Sequence, residues 1–168
     1  MTQSTKTYHA VRGLRKVELL ELSGPVPFGS GRAQCLTGSR AQGKAYERKI
    51  AKLLSTKLPG KVFYNRWIKY IDSSGIRFCQ PDIWIELPNT LLLLEIKLTQ
   101  TSRADGQMRE LYVPVLSWLY PKKKIYCIQV CKNLRIIPPY RISKLSEVLG
   151  LDSSVTYTMP CLGETINV

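Results

Sequence analysis

The chain has almost no histidine. Its 168 residues include one, His9, in an N-terminal stretch without catalytic companions. Ser-His-Asp and Cys-His nucleophile systems need an imidazole base, so both lack support. Nucleases that bind metal through histidine lack support too, since one histidine is present. Paired cysteine motifs are absent too. The five cysteines, Cys35, Cys79, Cys127, Cys131 and Cys161, are odd in number and form no Cys-x-x-Cys. Zinc sites built from Cys and His lack their spacing, and an iron–sulfur cluster lacks a defensible set of four ligands. Cys127 and Cys131 fall in an apolar, strand-like run and are expected to be buried thiols. No apolar run approaches the roughly 20 residues that span a bilayer. Residues 1–6 lack the apolar stretch of a signal peptide. A cytoplasmic protein with no membrane partner is expected.

Acids are scarce as well. The chain carries 12 Asp and Glu against 25 Lys and Arg, for a net charge of +13. Residues 1–66 hold 13 basic and 3 acidic residues, so most of the excess lies in the first half. Such an imbalance attracts polyanions, with a nucleic-acid backbone the usual partner. The size suits one domain with its own core.

Along the chain, residues 1–38 read as a basic arm rich in Gly and Pro, with a short apolar piece at 17–22 that pairs as a strand or crosses to a partner subunit. Residues 39–168 read as a single domain. Helical periodicity runs over 39–57, with Ala45, Tyr46, Ile50, Leu53 and Leu54 on one face and Ser39 as N-cap. Glu47 falls along that apolar face, where it either pairs with a neighbouring Lys or Arg or serves a site. Strands follow at 62–71, 76–87, 91–98 and 125–130, with a helix at 103–119 in which Pro114 predicts a kink. The four leucines 91–94 predict a central strand buried on both faces. A short helix over 143–149 ends at Gly150, and an edge strand is expected near the C-terminus. The core order α-β-β-β-α-β predicts an α/β fold with a mixed central sheet flanked by helices.

The chemistry concentrates at 80–97. Pro81-Asp82 opens one apolar run, Glu95-Ile96-Lys97 closes the next, and Pro88-Asn89-Thr90 marks a turn between them. As a hairpin, these runs bring Asp82, Glu95 and Lys97 to one place. Alternation puts Glu95 and Lys97 on one face, where neither is tolerated unpaired in so apolar a strand. They form a simple ion pair, or they share a metal. Asp82, Glu95 and the Ile96 carbonyl would offer oxygen ligands to Mg²⁺, with Mn²⁺ able to substitute, and Glu47 would add a third carboxylate. Lys97 would orient or deprotonate a water, or stabilise the transition state. No organic cofactor is called for.

Pro81-Asp82, Glu95-Ile96-Lys97 and the upstream Glu47, set in this element order, resemble the PD-(D/E)XK nuclease superfamily over about residues 40–131. The resemblance implies a restriction-endonuclease-like fold and a metal-dependent deoxyribonuclease using Glu47, Asp82, Glu95 and Lys97. Exonucleases of that superfamily carry a Gln and a Tyr one helical turn apart. Here Gln107 and Tyr112 stand five apart in the corresponding helix, as possible accessory residues. Small phage and archaeal Holliday-junction resolvases are similar in size and basicity, which implies a homodimeric endonuclease acting on branched DNA in recombination or repair. An exonuclease, an end-processing nuclease and a catalytically inactive DNA-binding subunit are the alternatives. Lys6, Arg12, Arg15, Lys16, Arg32, Arg40 and Lys44 are the expected phosphate contacts.

Overall fold

The structure, a computed structural model, describes residues 8–23, 37–134, 142–151 and 157–160. Lys6, Arg32, Cys35 and Cys161 lie outside the described residues. The expected α/β architecture is present, with two sheets. A six-stranded mixed sheet has the order β2-β5-β6-β7-β9-β8, where β2 is Lys61–Tyr64, β5 Ile83–Glu86, β6 Thr90–Thr99, β7 Lys124–Asn133, β8 Ser143–Lys144 and β9 Tyr157–Pro160. Among the described residues only β6 and β7 pair in parallel; the other neighbours in this sheet are antiparallel. A smaller sheet, β1-β3-β4, joins β1 (Lys16–Ser23), β3 (Arg66–Asp72) and β4 (Gly75–Cys79).

Helix α1 (Gly38–Lys57) covers one face of the large sheet. Tyr46, Ile50, Ala51 and Leu54 pack on Ile83, Ile85, Leu92, Leu94 and Ile96. Ala45, expected on this stripe, is exposed, and Ala51 is buried in its stead. On the other face lies a continuous helical rod of α2 (Ser102–Gln107), a π-helical turn (Met108–Tyr112) and α3 (Val113–Leu119). Met108, Leu111, Val115 and Leu116 pack on Trp84, Leu91 and Leu93 of the large sheet, and on Ile68 and Tyr70 of the small one. Alternation along β6 thus sends even residues to α1 and odd residues to the rod. The expected central strand is β6, buried from Leu91 to Ile96.

The strands expected at 62–71 and 76–87 are each broken into two. Asn65 adopts the left-handed region at φ 50 and separates β2 from β3. Asn tolerates this better than most residues. Opposite it, Gln80-Pro81-Asp82 separates β4 from β5, because Pro81 has no N–H for the ladder. The two breaks are stitched together: Asn65 N–H donates to the Asp82 carbonyl at 3.1 Å, and Gln80 Nε2 donates to the Asn65 carbonyl at 2.8 Å. One long hairpin therefore bends out of the large sheet and becomes part of the small one.

Residues 8–23, read from the sequence as part of an arm, belong to the body of the fold. β1 pairs antiparallel with β3, so the 17–22 segment is used within the chain. Tyr8, Val11 and Leu14 pack against the rod-side core. Pro114 supplies the anchor. It lacks the N–H that would bond the Glu110 carbonyl one turn earlier, and Val11 N–H donates to that carbonyl instead, at 2.9 Å.

Candidate active site

The fork between the two sheets carries the acidic residues. In the β5–β6 ladder Ile83 pairs with Leu94, so the preceding Asp82 stands opposite Glu95. The Asp82 carboxylate accepts the Ile96 N–H at 2.8 Å. Lys97 Nζ lies 2.6 Å from Glu95 Oε1 and 3.7 Å from Asp82 Oδ2. Glu95 forms the floor, with its side chain 2% exposed. Asp82 and Lys97 form the mouth, with side chains 14% and 33% exposed. The N–H and C=O of a strand residue point to the same lateral side. The Ile96 carbonyl therefore faces the Asp82 edge along with its N–H.

Glu47 reaches this neighbourhood from α1. It is buried, and Lys44 Nζ donates to its Oε2. Burial, and then the Asp82 charge, raise its pKa, against the pull of Lys44 and Lys97. Burial and the Asp82 charge also push Glu95 up to about 8, although Lys97 opposes them. Burial would lower the Lys97 ammonium, but Glu95, Asp82 and Glu47 outweigh it and hold Lys97 above its ordinary value. These shifts have one origin. Three carboxylates share a partly dehydrated space with two ammonium groups, and the excess negative charge is uncompensated.

Glu95 Oε2 is the clearest sign of what would relieve that excess. It is buried without a hydrogen-bond partner. A carboxylate oxygen left bare in the interior costs free energy that a cation would recover. Among the described residues no three His, Cys, Asp or Glu side chains are grouped closely enough to cage an ion by themselves. Mg²⁺ does not require such a cage. It often takes one or two carboxylates and completes an octahedron with waters and substrate phosphate oxygens. Asp82, Glu95 and the Ile96 carbonyl fit that pattern.

Gln107 and Tyr112 meet. The π-helical turn between them widens the rod by about one residue per turn, so positions five apart share a face. Gln107 Nε2 donates to the Tyr112 hydroxyl, which in turn donates to the Gln80 carbonyl at 3.2 Å. Tyr112 thus ties the rod to the bend that carries Asp82. Burial, then the charges on Glu95 and Asp82, push its phenol well above the usual range, so it stays a neutral donor.

The expected phosphate contacts divide. Arg40 and Lys44 lie on α1, the first exposed and the second bonded to Glu47. Arg12, Arg15 and Lys16 are exposed at the β3–β4 turn, where Arg15 N–H donates to the Ile71 carbonyl and the Arg12 carbonyl accepts Ser73 N–H. The length of β3 separates them from Asp82, roughly 20 Å at the usual strand rise.

Two further residues escaped sequence reasoning. Gln80 acts through its carbonyl, which no side-chain pattern reports. Gln129 is 1% exposed, pairs in register with Glu95 across β6 and β7, and has an unpartnered Oε1 while its Nε2 holds the Thr101 carbonyl. A lone amide between Ile128 and Val130 was the available signal. No known protein family, curated protein or solved structure matches the chain.

Proposed function

We propose that this chain is a divalent-metal-dependent nuclease acting on DNA. The observation that carries the reading is the buried, unpartnered Oε2 of Glu95 beside Asp82 and Lys97. Asp82 and Glu95 would hold the ion, with the Ile96 carbonyl facing the same edge. The ion supplies charge neutralisation at the scissile phosphate and a water of lowered pKa. Asp82 is fixed for this role by the Ile96 N–H and by the bend that Tyr112 and Asn65 secure. Lys97 presents its ammonium at the mouth, where it donates to the attacking water or to a non-bridging phosphate oxygen. Glu47 closes the α1 side and adds a hydrogen-bond acceptor for an ordered water. Exposed Arg40 and Arg48 lie on α1 towards the side of Glu47 and would meet the phosphate backbone.

Branched DNA belongs to this reading as the favoured substrate. Symmetric cleavage of a junction needs two sites, hence a homodimer. Mg²⁺ supports cleavage in this reading, and Mn²⁺ replaces it. The test is incubation of end-labelled linear duplex, flap and four-way junction with the protein in Mg²⁺ or in EDTA. Cleavage only in Mg²⁺, strongest on the junction, supports the whole reading. Cleavage from ends alone replaces it with an exonuclease. No cleavage of any substrate leaves a DNA-binding subunit that keeps the fold.

A further inference from the structure

Gln129 lies on β7 between Ile128 and Val130, and all three are buried. A long amide in such a strand costs free energy unless both of its ends are satisfied. Its Nε2 is satisfied by the Thr101 carbonyl at 3.0 Å. A carbonyl can only accept, so this bond decides which end of the amide is the NH₂ and leaves Oε1 at the other. Oε1 is buried and has no partner among the described residues. An anchor for Thr101 needs only a donor, and the carbonyl half of the amide would then be a pure penalty. The register gives that half a use. Gln129 pairs with Glu95 across the parallel β6–β7 ladder, so the two side chains leave the sheet side by side on the rod face. Glu95 Oε2 is likewise a bare buried oxygen. Two acceptors cannot bond each other. The Lys97 ammonium is engaged at the mouth, 2.6 Å from Glu95 Oε1 and 3.7 Å from Asp82 Oδ2. A water carries two donor hydrogens and satisfies both bare oxygens at once, as buried waters do for polar groups that lack protein partners.

We infer that Gln129 is a positioning residue for Glu95: its Oε1 and Glu95 Oε2 share one ordered water, which holds the carboxylate in the orientation that accepts a divalent cation. The inference rests on the metal-dependent reading of the site and adds to it a residue that touches neither cation nor DNA. A carboxylate oxygen has two lone pairs, so Glu95 Oε2 accepts from the water on one and keeps the other for the cation. The amide is held in its turn by Thr101, the N-cap of α2, which lies just beyond the end of β6. Gln129 thereby links the strand that carries Glu95, the neighbouring strand and the start of the rod. Outer partners that orient a metal ligand change affinity or activity by about ten- to a hundredfold when they are removed.

Gln129→Met keeps the length of the side chain and removes both polar ends. Calorimetric titration of Mn²⁺ into the full chain, with a non-cleavable DNA present and the same DNA alone as blank, should give a Kd about tenfold weaker than wild type. The Tm in EDTA should move by less than about 3 °C, because loss of the Thr101 bond is offset by loss of a bare buried oxygen. Gln129→Glu restores an acceptor oxygen and should recover the affinity to within about threefold of wild type. Cys131→Ala controls for general loosening of β7, since Cys131 is buried on the same face beside Lys97. It should leave the affinity within about twofold of wild type. Should Gln129→Met fail to fold, Gln129→Asn keeps the amide, withdraws it by one methylene and should show the same weakening. Unchanged affinity in Gln129→Met with a lowered Tm in EDTA would overturn the inference and leave Gln129 as an anchor of Thr101. Equal weakening in Cys131→Ala would overturn it as well. No Mn²⁺ binding by wild type would remove the metal-dependent reading and this inference with it, whereas wild-type binding that Gln129→Met retains in full removes this inference alone.

Discussion

Glu95→Gln should stabilise the metal-free protein at high pH and leave it unchanged at low pH. The Glu95 carboxyl titrates near 4.5 in an unfolded chain and at about 8 in the fold, mainly because it is buried and secondly because Asp82 is near. Below 4.5 the group is neutral in both states and contributes no penalty. As pH rises towards 8, the unfolded chain releases the proton and the folded one retains it. Stability therefore falls through this window, and the loss is complete above about 8. The interval corresponds to on the order of 5 kcal/mol. Glutamine removes the charge but leaves an amide with incomplete partners, so roughly half that gain is expected. Lys97 keeps Asp82 as a partner at 3.7 Å and is not orphaned. For a domain of this size the gain translates into a rise in Tm of roughly 4–8 °C at pH 8. Thermal denaturation in EDTA at pH 5 and pH 8 measures it. A variant less stable than wild type at pH 8, or one with the same Tm difference at both values, would refute the reasoning. Added Mg²⁺ should raise the wild-type Tm at pH 8 and leave the variant unmoved.

Three other outcomes follow from the same geometry. Glu47→Gln should lower turnover at least tenfold with little change in Tm, since relief of a desolvated charge is offset by loss of the Lys44 pair; normal cleavage rates would reduce Glu47 to a partner of Lys44. Tyr112→Phe should cost about 1 kcal/mol of stability and lower turnover several-fold without altering Mg²⁺ affinity, because the hydroxyl holds the Gln80 carbonyl and touches no ligand; chemical denaturation and single-turnover kinetics together check this. Pro114→Ala restores a donor for the Glu110 carbonyl, so amide hydrogen exchange at Val11 should accelerate as its acceptor is shared.

The site was more legible than the sheet that surrounds it. The Pro88-Asn89 turn and the two-residue period of the strands set the register, and the register alone brings Asp82 to Glu95. Helical periodicity placed Glu47 on the buried stripe, although it misassigned Ala45. The change of sheet at Asn65 was hidden, because 62–71 is one β-branched and aromatic run with a single residue at φ 50 inside it. Pro114 signalled a break in the helix, but not its form. At the π-helical turn Val11 takes the carbonyl that Pro114 leaves free, a contact across about a hundred residues of chain. Residues 8–23 read as an arm because the apolar Tyr8, Val11 and Leu14 that pack on the core are spread among basic residues, and the backbone hydrogen bonds that add to their attachment leave no trace in side-chain composition. Gln107 and Tyr112 looked misplaced by one position, and the π-helical turn absorbs that position.

The central claim is that Asp82 and Glu95 together hold a divalent cation. Isothermal titration of Mg²⁺ or Mn²⁺ into the protein, with a non-cleavable DNA present, tests it most directly. The account predicts saturable binding by wild type, its loss in Asp82→Asn and Glu95→Gln, and its retention in Lys97→Ala, whose ammonium is not a ligand. Binding that persists unchanged in both carboxylate variants, or no binding by wild type, would contradict it.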